Sequence, residues 1–174
     1  MPHWWKLSES ISMGRRKLLG RLAAAGGVFA LAAGAKAQDA APADAEKGLR
    51  FPGDPPEHKV VYQLNKADGE YHSHVIFSVG AMLRQYGDNI HIVVTTFGPG
   101  IHMLLKKPRR PVTQEIREKV ESLSHYGVEF HVCGNTLTAL GLTERDILPF
   151  AKYVEVGASD LMELQQKGYA YISW

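Results

Sequence analysis

From residue 58 to residue 174, short β-branched runs alternate with amphipathic segments, and this alternation narrows the fold to a sheet layered with helices. Residues 58–65 (HKVVYQLN), 89–96 (NIHIVVTT) and 128–132 (VEFHV) are apolar enough to be buried on both faces, as strands of a covered parallel sheet are. Residues 152–156 and 169–173 read as two shorter strands. Between them, residues 70–86 place Val75, Ile76, Val79, Met82 and Leu83 at helical spacing. Residues 113–126 do the same with Ile116, Val120 and Leu123, capped at Thr113 and closed by Gly127. A third helix over residues 158–167 ends at Gly168, and shorter helical turns are expected over residues 101–105, 136–140 and 143–148. The expected architecture is α/β: a three-layer α/β/α domain with a mostly parallel five-stranded sheet and right-handed crossovers.

The chain has one cysteine, so no disulfide forms within it, and a domain of this length has to rest on its core. Cys133 follows the third strand, and Gly134, Asn135 and Thr136 lead into a helical pattern. A thiol at the carboxyl end of a strand lies on the edge where open α/β sheets bind ligands. The positive end of a following helix favours its thiolate, the nucleophilic form, by about 0.3–1 kcal/mol at an exposed site. The pattern admits two readings: a reactive thiol, or a small buried core residue.

The first 37 residues read as a removable export signal. Arg15 and Arg16 precede an apolar stretch over residues 22–35, and Ala35-Lys36-Ala37 is a cleavage signal. The paired arginines indicate the twin-arginine route, and hence a periplasmic protein beginning at Gln38. The apolar stretch is short of the ~20 residues that span a bilayer, so no stable membrane insertion is expected after cleavage. Residues 1–37 hold six bases and one acid (Glu9). The +2 of the whole chain therefore becomes −3 after cleavage, and nothing in the charge pattern favours nucleic acid. Residues 38–57, rich in Ala, Asp, Pro and Gly, read as a flexible leader, and residues 58–174 as the single folded domain.

Three stretches carry a family resemblance: Lys59-Val60-Val61-Tyr62-x-Leu64-Asn65; Gly127-Val128-x-Phe130-x-x-Cys133-Gly134-Asn135-Thr136-Leu137; and Gly157-x-x-x-Leu161-x-x-x-Gln165-x-x-Gly168-Tyr169-x-Tyr171-Ile172. In this order and spacing the chain resembles the DsrE/DsrF-like family of small α/β proteins over about residues 58–174. The resemblance implies a homo-oligomer, most plausibly a trimer or hexamer, with a cysteine at the carboxyl edge of the sheet. In sulfur-relay members that cysteine carries sulfur as a persulfide, and Cys133 matches its position. A sulfur donor or acceptor protein is then the implied partner. The export signal departs from those members, which are cytoplasmic. Within the same resemblance, a non-catalytic binding or scaffold module with a structural cysteine is the alternative.

Other polar residues have narrower readings. His131 is two residues before Cys133 and leaves the same strand face, where it could hold a proton for the thiol or serve as a structural histidine. Gly134 and Asn135 offer amides to a sulfur anion. Asn65 ends the first strand on the same edge, to orient a ligand or to cap the next turn. Gly98-Pro99-Gly100, at the end of the second strand, reads as a plain tight turn or as a place where the backbone approaches a ligand. The basic run Lys106, Lys107, Arg109, Arg110 reads as a solvated loop or a receiver of anions. His72 and His74 do not face each other on a helix, the other histidines lack ligand spacing, and no metal or cofactor is expected.

Overall fold

The computed structural model describes residues 50–174. The expected export signal and most of the expected leader lie outside the described residues. Five strands form one sheet: β1 (His58–Leu64), β2 (Ile90–Thr96), β3 (Glu129–Cys133), β4 (Ala151–Val154) and β5 (Ala170–Ile172), in the order β4-β3-β2-β1-β5. All of its pairings are parallel, which goes further than the mostly parallel sheet expected. Four α-helices connect them: α1 (Gly69–Tyr86), α2 (Gln114–His125), α3 (Gly134–Ala139) and α4 (Gly157–Gln166).

The strand order decides where the helices go. From β1 to β4 the chain steps across the sheet in one direction, and right-handed crossovers place α1, α2 and α3 on one face. The return from β4 to β5 reverses direction and puts α4 on the other. Two separate cores result. Val60, Tyr62, Ile92, Val94, Phe130 and Val132 pack with Val75, Val79, Val120 and Leu137 in the larger. Val61 and Val93 pack with Leu161 and Leu164 of α4 in the smaller.

Local chemistry explains the element ends. Asp68 caps α1 by accepting from the Tyr71 N–H at 2.9 Å, and Thr113 caps α2 by accepting from Ile116. The third strand runs through Cys133 itself and α3 starts at Gly134, two residues before the expected start. Gly, Asn and Thr suit a first helical turn as well as a break, and here they form the turn. The fourth strand stops at Val154, because Glu155 turns out of the sheet and its carbonyl accepts from the Asn135 N–H at 3.1 Å. Residues 50–57, read as the end of a flexible leader, are tied to the domain. The Arg50 guanidinium donates to the carbonyls of Asp54, Pro55 and Asp88, and the Glu57 N–H to Asn89 Oδ1.

Candidate functional site

Alternation along β3 sends Phe130 and Val132 into the large core and Glu129, His131 and Cys133 toward α4. Cys133 is the last residue of β3 and the cap position of α3, and it makes no cap hydrogen bond of its own. Its partner comes from across the sheet edge, where the Gly157 N–H at the start of α4 donates to Cys133 Sγ at 3.2 Å. The reason is topological. α3 leaves β3 toward one face and α4 leaves the neighbouring β4 toward the other, which opens the kind of crevice where α/β sheets place ligands.

Cys133 is only 5% exposed, yet it belongs to neither apolar core. Burial pushes its pKa up. The Gly157 N–H, then the hydroxyl and N–H of Thr136 and the N–H of Asn135, more than offset burial, so the thiol lies below its ordinary value. Of these groups, Gly157 is the one whose N–H makes a hydrogen bond to the sulfur among the described residues, and Asn135 gives its N–H to Glu155. The Thr136 hydroxyl accepts from the Gly98 N–H at 3.0 Å.

Gly157 has to be small. A Cβ there would sit 3.1 Å from Cys133 Cβ and 3.3 Å from Phe97 Cδ1. Gly134 also has to be small, since a Cβ there would collide with the Tyr153 hydroxyl and ring. In the Gly98-Pro99-Gly100 turn, Gly100 lies against the Leu64 carbonyl, where a Cβ would collide.

His131 shares the face of Cys133, as the strand period predicts, but both its ring nitrogens are engaged elsewhere. Nδ1 lies 2.9 Å from Asp160 Oδ2 on α4, and Nε2 lies 3.1 Å from Glu129 Oε2. Thr95 donates to the same Asp160 oxygen at 2.6 Å. Burial would raise the Asp160 pKa; hydrogen bonds from His131 and Thr95 and the charges of His131 and Lys152 hold it below the usual carboxylate value. The chain of contacts continues from Glu129 to His91 at 3.1 Å, and from His91 to the Tyr169 hydroxyl at 2.7 Å. His131 thus anchors α4, the helix whose first residue holds the thiol. Asn65 turns toward α1: its N–H donates to the Tyr71 hydroxyl at 3.3 Å, and that hydroxyl donates to the Gln63 carbonyl.

Gly157 and Thr136 stand in the stretches that carry the resemblance, but motif reading gave them no part in the site. Gly157 carries one signal, a glycine opening a helix where Ser, Asp or Thr would be ordinary. The contact with Cys133 joins two strand ends that only the folded sheet brings together.

A parallel five-stranded α/β/α domain with a donor-ringed thiol at its carboxyl edge defines a class of small single-cysteine α/β proteins. The model of the DsrE/DsrF-like family matches residues 52–174, and the chain belongs to that family. Among solved structures it is similar to a protein of unknown function from Methanobacterium thermoautotrophicum, with 24% identity and a TM-score of 0.61 over 68% of this chain and 100% of that one. It is also similar to the ychN protein from E. coli, with 13% identity and a TM-score of 0.57 over 67% of this chain and 99% of that one. These likenesses establish the fold. No curated protein matches the sequence significantly. No helix among the described residues is long and apolar enough to cross a membrane.

Proposed function

We propose that this protein carries sulfur on Cys133 as a persulfide. Family membership points to a sulfur-relay-related role. The observation that carries the specific reading is the Gly157 N–H at 3.2 Å from a thiol that is buried and yet shifted toward its anion. The Cys133 thiolate attacks the outer sulfur of a donor persulfide, R–S–SH. A new S–S bond forms, the donor S–S bond breaks, and R–S⁻ leaves. The acceptor thiolate repeats the exchange on Cys133, which leaves in turn as thiolate, so no net oxidant is required. With no second cysteine to resolve the persulfide, the protein carries sulfur and does not act as a dithiol oxidoreductase.

The test is intact native mass after exposure to polysulfide, or to thiosulfate plus a donor enzyme. One added sulfur, lost on reduction and absent in Cys133→Ser, is the expected result, with the variant's fold retained. The small exposure of Cys133 favours a second reading, a scaffold or binding module with a structural cysteine. That reading holds if the wild-type thiol resists alkylation until denatured and the variant unfolds.

Within the same proposal the protein works outside the cytoplasm as a homo-oligomer, a trimer or hexamer, exchanging sulfur with a partner protein. Replacing Arg15 and Arg16 with Lys is expected to strand the precursor in the cytoplasm. Fractionation checks this, and unchanged export removes the twin-arginine assignment.

A further inference from the structure

We infer that the cavity between the 3-10 turn Gly98–Leu104, the Arg109-Arg110 segment and α3 binds a small organic anion. The cavity measures about 540 Å³, within the roughly 300–1,000 Å³ of small-molecule sites. Its polar side chains are His102, Arg109, Arg110, Asn135 and Thr136. His102 is 4% exposed, and its Nδ1 lies 3.2 Å from the Arg109 backbone N–H, which can only donate. Nδ1 is therefore the unprotonated nitrogen, and the ring's proton sits on Nε2, which has no hydrogen-bond partner among the described residues. Burial, followed by the charges of Arg110 and Arg109, holds the His102 pKa below its ordinary value and keeps this tautomer neutral.

Arg109 gives one guanidinium nitrogen to the Leu140 carbonyl at 2.8 Å, and its other nitrogens are uncommitted. The side chains of Arg110 and Asn135 make no hydrogen bond among the described residues, and both line the cavity, while no Asp or Glu does. Two guanidinium groups, an imidazole N–H and a carboxamide without a facing carboxylate suit an anionic head. Pro99, Ala139 and Leu140 supply apolar wall, so the occupant carries a short apolar body behind that head. Cys133 does not line the cavity, although Asn135 and Thr136, which follow it in the chain, do.

The experiment is calorimetric titration of the full chain near neutral pH with benzoate and with phenylphosphonate. Inorganic phosphate and sodium chloride of matched ionic strength are the comparisons, and imidazole NMR signals are followed in parallel. Saturable binding of at least one aromatic probe, tighter than phosphate, with a shift of the His102 ring signals, is expected. Benzoate binding identifies a carboxylate head and phenylphosphonate binding an oxyanion head. Arg110→Gln, at an exposed position, should weaken binding about ten-fold, and Arg84→Gln, an exposed arginine outside the cavity, should leave it unchanged. Phosphate binding as tightly as either aromatic probe, shifts reproduced by chloride, or full affinity in Arg110→Gln would overturn the assignment.

Discussion

Gly157 is where a single methyl group tests the thiol. Its Cβ would press on Cys133 and Phe97 at 3.1–3.4 Å, so Gly157→Ala has to push the start of α4 away from the sulfur. We expect a loss of about 1–3 kcal/mol in stability from overpacking. The thiol pKa should rise as well, because its first donor retreats. Urea unfolding and the pH dependence of alkylation measure the two, and an unchanged thiol pKa would remove Gly157 from the site. Residue type and strand period were enough to place Cys133 at a strand end and His131 on the same face. They could not reveal that His131 spends both nitrogens on Asp160 and Glu129. That depends on α4 lying across β3, a consequence of the chain's reversal after β4.

Helix α4 is held to the sheet by few groups, and Asp160 is the one with the most partners. Asp160→Asn keeps the shape but gives up a carboxylate that His131 and Thr95 both bond. A loss of about 1–3 kcal/mol is expected near neutral pH. The folded-state pKa of Asp160 is depressed. Its contribution is therefore present above the unfolded value of ~3.9 and lost as pH falls through the lower folded value. The gap between wild type and variant should therefore close in acid, as urea midpoints across pH would record; a gap independent of pH would contradict the account of a carboxylate stabilised by its hydrogen bonds. Element order and the large helices were legible from periodicity alone. The ends of the short elements were not: α3 begins inside a Gly-Asn-Thr run that also reads as a break, and β5 keeps only three paired residues.

On the scale of the whole molecule, the aromatic C-terminus is divided between the two uses open to it. Tyr169 bonds His91 and Tyr171 donates to Gln63, so both are partly engaged by their own chain. Tyr171 and Trp174 are still 42% and 54% exposed, and they stand on the sheet edge formed by β5. A homo-oligomer that covers this edge is expected, and light scattering at micromolar concentration checks it: a monomer there would exclude the oligomer. The pairing of β5 with β1 has a further consequence, in time rather than in space. Val60 and Val61, among the first residues of the domain to be synthesised, find their sheet neighbours Ala170 and Tyr171 only when the chain is almost finished. Pairings between such distant segments form slowly. Until then one side of β1 is an open edge that another chain could occupy. The domain therefore cannot complete its sheet until residues 170–172 have been made.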